Sequence, residues 1–187
     1  MKPIPRHMAE NYHKWQERLL HDLDAAVKQK RKIIYVDEVC FTKLALLRKA
    51  YSHRFTNLAV NQIDVYTGYH CAAVAVSKEK GLEHALISDS AINQTDFIGF
   101  VKDIQRKNRG LKLALFMDNL AVHKGKDVKP FYTKLNITPL YNIPYSPATN
   151  PIESCFSVVK SHFKRRRLGC LVDDRPFNAP QHISECL

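Results

Sequence analysis

Negative charge is scarce in this chain: 18 acidic residues stand against 29 basic ones, a net charge of +11 over 187 residues. An excess of that size on one domain points to a polyanionic partner, nucleic acid first, with a merely charged surface as the alternative. A disulfide framework is lacking too. The five cysteines, Cys40, Cys71, Cys155, Cys170 and Cys186, form no C-x-x-C pair, and their odd number suits reduced thiols of an intracellular protein. Long apolar runs are also missing. The longest, Cys71 to Val76, falls far below the roughly 20 residues a membrane helix needs, and the first residues lack the apolar centre of a signal peptide. No internal repeat is present, so one domain with a proper core is expected, neither secreted nor in a membrane.

What is there reads as alternating strands and helices. Trp15, Leu19, Leu20, Leu23 and Val27 recur at spacings of three and four, which predicts a helix from Ala9 to Lys30. A first strand follows from Ile33 to Asp37. Residues 42–69 are irregular and basic, a long excursion with one short strand near Leu58 to Val65. Cys71 to Ser77 and Leu82 to Ser88 form a hairpin across Lys78-Glu79-Lys80-Gly81. Asn93 caps a helix from Gln94 to Lys107 that Gly110 ends, and Leu111 to Met117 is a strand buried on both faces. A helix from Val122 to Leu135, a strand from Ile137 to Tyr141 and a helix from Pro151 to Leu168 complete an α/β plan in which antiparallel strands lead into parallel ones. After Leu168 the periodicity fades, and residues 169–187 are expected to be an irregular tail.

Three acids stand out within this plan. Asp37 and Asp118 each follow an apolar strand, and Glu153 enters the last helix from the proline-stiffened run Pro144-Tyr145-Ser146-Pro147-Ala148-Thr149-Asn150-Pro151. Carboxylates at the open end of a parallel sheet suit Mg²⁺ or Mn²⁺, which favour octahedral oxygen coordination. Two such ions about 4 Å apart serve phosphodiester cleavage or transfer. Taken singly, each acid has a plainer reading, as a turn former, a cap or a partner of the helix dipole. On a helical wheel Ile152, Phe156, Val159 and Phe163 share one stripe, while Lys160, Lys164 and Arg167 fall within about 40° of Glu153, a row of cations suited to a phosphate backbone.

At these positions the chain resembles the DDE transposase domain of the Tc1/mariner and IS630 superfamily. The matching pieces are YVDEVCF around Asp37, FMDNLAVH around Asp118 and YSPATNPIESCFSVVK around Glu153, in the family's order, and they extend the likeness over about residues 32–168. The 34 residues between Asp118 and Glu153 are the spacing of the Tc1-like group. The resemblance implies an RNase H-like fold with a mixed central sheet flanked by helices, in which Asp37, Asp118 and Glu153 ligate two Mg²⁺ ions, with Mn²⁺ able to substitute. It implies hydrolytic nicking at transposon ends and attack of the freed 3′-hydroxyl on target DNA by a homodimer. Asn119 and His123 take supporting or DNA-proximal places, or are a helix-entry Asn and a surface His. Pro147, Asn150 and Pro151 hold the loop that aims Glu153. Glu38 is expected on the opposite face of the strand and not as a ligand. The excursion at 42–69 sits where the family carries an insertion, so Lys43, Arg48, Lys49 and Arg54 are candidate phosphate contacts, as are Lys160, Lys164 and Arg167.

The chain departs from the family at Ala148-Thr149, where Asp-Leu is usual, and at Phe156, often tryptophan; neither position carries a metal ligand. Thirty-six residues precede Asp37, too few for the paired helix-turn-helix module that recognises transposon ends. Residues 1–31 are therefore expected as a linker helix, 32–168 as the catalytic domain, and end recognition as the work of a separate module. The location expected is intracellular: the nucleus of a eukaryote, or the cytoplasm or nucleoid of a bacterium. A non-catalytic, domesticated DNA-binding or assembly protein is the alternative function.

Overall fold

The computed structural model describes residues 6–41 and 68–187. Lys43, Arg48, Lys49, Arg54 and the strand expected near Leu58 lie outside the described residues. Helix α1 (Arg6–Lys28) leads through Lys30, at φ 53°, into β1 (Lys32–Phe41). The hairpin β2 (His70–Ser77) and β3 (Gly81–Ser88) is followed by α2 (Gln94–Lys107), β4 (Leu113–Met117), α3 (Ala121–Lys124), α4 (Lys129–Lys134) and β5 (Ile137–Tyr141). A short 3-10 turn, Pro147–Thr149, precedes α5 (Ile152–Val172) and α6 (Ala179–Cys186).

The five strands form one sheet in the order β3-β2-β1-β4-β5. Strands β1, β2 and β3 pair antiparallel, whereas β4 runs parallel to both β1 and β5. This is the mixed sheet expected, with antiparallel strands leading. Side chains alternate across it. On one face Ile34, Val36, Leu113, Leu115 and Met117 pack against Phe97, Phe100, Val101 and Ile104 of α2 and against Val128 and Tyr132. The other face is shared: α5 and α6 cover Val39, Phe41, Ala72 and Val74, and α1 covers Ala114, Phe116 and Leu140 through Leu19 and Ala26.

Helix α2 begins where its capping chemistry places it. Asn93 Oδ1 accepts from the Asp96 amide and Asp96 returns the bond to the Asn93 amide, a capping box. At the sheet end remote from the three acids, Glu83 is buried with Lys32 Nζ at 2.5 Å, and Ser77 and Asn108 donate to it. These bonds outweigh burial and lower its pKa.

Four expectations need correction. Strand β1 runs four residues past Asp37, because β2 continues to pair with it as far as Phe41 opposite His70. Asp37 thus sits within the strand. The helix expected from Val122 to Leu135 is two short helices, interrupted at Gly125 and restarted with Pro130, which has no amide to continue the earlier ladder. Helix α5 extends to Val172, and the supposedly irregular tail holds α6. Asn178 caps α6 through the Gln181 amide, and Ala179 and Ile183 bury against the α5 side of the sheet. Arg167, expected on the DNA-facing edge, is buried with its guanidinium 4.6 Å from the Phe177 ring.

Candidate metal centre

Parallel pairing brings the two aspartates together. Tyr35 of β1 lies opposite Phe116 of β4, and the same register carried forward two residues sets Asp37 beside Asp118. There β4 ends and β1 continues, so the sheet opens a notch at its centre. Glu153 comes from the first turn of α5, and all three acids line a cavity of about 540 Å³ with Asn119, Asn142 and Asn150.

The loop that delivers Glu153 is organised by Asn142, which is buried. Its amide nitrogen donates to the Ser146 carbonyl at 2.9 Å, and its Oδ1 accepts from the Ile143 amide at 2.7 Å. The Thr149 hydroxyl lies 2.5 Å from the same Oδ1. Tyr145, at φ 59°, turns the chain between Pro144 and Pro147. Sequence reading named the prolines and missed Asn142; its position directly after β5 was the available signal.

Each acid meets a different environment. Asp37 Oδ1 accepts from the Glu38 amide at 2.8 Å, and Oδ2 accepts from Asn150 Nδ2 at 3.0 Å. Burial, and then the negative charges of Asp118, Glu38 and Glu153, push its pKa up to about 7, against the lowering effect of the Glu38 amide. Asp118 Oδ1 accepts from the Leu120 amide at 3.1 Å and lies 3.0 Å from His123 Nδ1. Glu153 is exposed at the cavity mouth.

His123 is not a surface residue. It is fully buried, packs 4.5 Å from the Phe97 ring, and reaches Glu38 Oε1 with Nε2 at 2.9 Å while Nδ1 faces Asp118. Burial alone lowers its pKa, but the bonds to Asp118 and Glu38 prevail and raise it to about 9. A protonated imidazole donates from both nitrogens. The donor atoms of Glu38, Asp118 and His123 also lie within 4.8 Å of one another, metal-ligand spacing. His123 as a cation meets one oxygen of each acid, so Glu38, on the face opposite Asp37, holds Asp118 through the imidazole, while Glu38 Oε2 is buried without a hydrogen-bond partner among the described residues.

The three-acid cavity fits a divalent cation on different grounds. Its donors are hard oxygens, burial and then the neighbouring negative charges raise the Asp37 pKa to about 7, and Asn150 Oδ1 is buried beside them without a hydrogen-bond partner among the described residues. Asn119 bridges outward, donating to the Asn142 carbonyl at 2.5 Å and accepting from Lys124. Lys160 is exposed and Lys164 half-buried further along α5. Among the described residues no helix is long and apolar enough to cross a membrane.

Comparison with known proteins bears on the fold and the family. Solved structures share the fold at low identity. A chain of the Mos1 mariner paired-end complex with Mn matches at TM-score 0.62 and 14% identity, over 100% of this chain and 61% of that one. The Mos1 transposase catalytic domain with raltegravir and Mn matches at TM-score 0.60 and 13% identity, over 97% of this chain and 80% of that domain. A chain of the simian T-cell lymphotropic virus intasome, in complex with a PP2A regulatory subunit, matches at TM-score 0.58 and 14% identity, over 83% of this chain and 46% of that one. The chain spans about half the length of the intasome chain and of the chains in the Mos1 strand-transfer complex and the Mos1 paired-end complex with left transposon end. No match was found among curated protein sequences. The family model described as DDE superfamily endonuclease matches residues 16–173, most of the chain and all three acids. This chain therefore belongs to the DDE superfamily endonuclease family, and its fold is that of the RNase H-like transposase and integrase catalytic domains.

Proposed function

We propose that this chain is the catalytic domain of a Tc1/mariner-type DNA transposase, which cleaves phosphodiesters at transposon ends and joins the freed 3′-hydroxyl to target DNA. The observation that carries the reading is the register that sets Asp37 beside Asp118 where β4 ends, with Glu153 facing them across one cavity. In this reading Asp37, Asp118 and Glu153 hold two Mg²⁺ ions, for which Mn²⁺ substitutes. Bound by these three carboxylates, such ions would supply activation of an attacking oxygen and stabilisation of a leaving one. The chain's own residues supply the geometry. His123 and the Leu120 amide fix the Asp118 carboxylate, Asn150 fixes that of Asp37, and the Asn142-organised loop sets the start of α5 and so Glu153.

DNA is the substrate class, in keeping with the net charge of +11 and with the transposon-end complexes of the Mos1 neighbours. Action as a homodimer on paired ends, and end recognition by a separate helix-turn-helix module, belong to the same proposal. The test is a pre-nicked duplex incubated with purified protein and Mn²⁺ or Mg²⁺. Cleavage or strand transfer that Asp118→Ala abolishes is expected. Activity persisting in that variant refutes the assignment, and DNA binding without chemistry under either metal favours an assembly protein.

A further inference from the structure

A second cavity, of about 590 Å³, adjoins the metal centre and shares Asn119, Asn142 and Pro144 with it. Its other wall is α1. Trp15, Arg18, Leu19 and Asp22 recur there at spacings of three and four and present one helix face; Leu19 is buried beneath, and Trp15 is half-buried in the groove. Across from them stand Lys124 and Lys129. Three cations thus line one groove, and the acids near them are few: Asp22, which pairs with Arg18 at 3.7 Å, and Asp118 in the neighbouring cavity. Burial, and then the charges of Arg18 and Lys129, hold the Lys124 ammonium below its ordinary pKa even though Asp118 opposes them. Lys124 is already positioned, with its ammonium 4.5 Å over the Tyr141 ring and bonded to Asn119.

Like charges gathered at a groove, beside an aromatic ring, are complementary to a phosphodiester strand with an unpaired base. Stacking on an aromatic side chain contributes about 1–3 kcal/mol per base, and backbone phosphates supply the counter-charge. We propose that this groove seats a single-stranded DNA flank next to the metal centre, its phosphates held by Arg18, Lys124 and Lys129 and one base stacked on Trp15. The proposal rests on the reading of the chain as a DNA-cutting domain. A duplex would offer phosphates but no free base face for Trp15, which favours the single strand.

Trp15 is the only tryptophan in the sequence, so its fluorescence reports the groove directly. The experiment titrates the full chain in EDTA with a short oligothymidylate, a blunt duplex of equal length and polyglutamate. Trp15 emission and the anisotropy of the labelled DNA are followed over a range of salt. Quenching by the oligothymidylate alone is expected. The variant carrying Arg18→Gln and Lys129→Gln, two exposed sites, should lower the salt slope of log affinity by about 1.4, from roughly 0.7 per single-strand phosphate contact. Binding without quenching, or an unchanged slope in the variant, overturns the groove. Equal quenching by duplex overturns the single-strand assignment, and equal quenching by polyglutamate overturns recognition of DNA. Cleavage is measured separately with Mn²⁺: quenching without cleavage sinks the catalytic reading alone, and cleavage without quenching sinks the groove alone.

Discussion

Asp37 and Glu38 are consecutive acids on one strand, and their surroundings give them opposite fates. Asp37 faces the α5 side, beside Asp118 and Glu153, with amide donors and, among the described residues, no cation. Glu38 faces the α2 side, where a buried imidazole meets it at 2.9 Å. One acid meets amide donors and like charges; the other has an imidazolium on one of its oxygens. The difference teaches that pleat parity, more than residue type, decides which acid meets a cation at this sheet end.

The comparison breaks most visibly in catalysis. Asp37→Asn should abolish metal-dependent cleavage, by about a thousandfold or more, while Glu38→Gln retains measurable turnover; single-turnover assays on a nicked duplex distinguish them. Stability should rank the other way. His123→Ala leaves the largely buried Glu38 without its cation and is expected to cost about 3–5 kcal/mol in urea denaturation. Asp37→Asn should instead stabilise the metal-free protein above pH 7 by about 1–3 kcal/mol, since it removes a charge that the fold disfavours.

The pH dependence sharpens the same contrast. A carboxyl raised to about 7 makes the folded state bind a proton the unfolded chain has lost, so metal-free stability declines as pH rises from about 4 to 7. The difference in thermal midpoint between wild type and Asp37→Asn in EDTA isolates that slope, and the Mn²⁺-induced rise should grow over the same interval. His123, raised to about 9, contributes fully below its unfolded value of 6.5 and loses its contribution as pH climbs through 9. A wild-type midpoint in EDTA that is flat from pH 6.5 to 9 relative to His123→Gln would contradict the imidazolium clamp. The smallest effect expected is that of Asn150→Ala, which removes one donor to Asp37 and should move the pH midpoint of Mn²⁺ binding upward by under about one unit.

Much of this was readable in the chain. The capping residues of α2, the strand from Ile137 to Tyr141 and the apolar stripe of α5 follow from local chemistry; Asp37 and Asp118 stood out by their place after apolar runs, and Glu153 by the proline-stiffened run before it. The burial of His123 was not readable. It sits on a one-turn helix with no periodicity to reveal a face, and its partner Glu38 is 85 residues away. Helix α6 was missed because eight residues with two buried positions make too brief a pattern, although Asn178 and Pro180 did mark its start. The row of cations drawn along α5 failed at Arg167, because a helical wheel cannot foresee that Phe177 folds back to cover it.

By itself the sequence determined most of the strands and helices, and singled out the three acids among them, because caps, turns and periodicity act over a few residues. Only the tertiary structure decided that β1 continues beyond Asp37 and that Asp37 lies beside Asp118. It also left Glu38, and not its neighbour, with a cation. Those outcomes depend on pairing with strands far along the chain and on the charge each face happens to meet, and neither is encoded within the reach of a local motif.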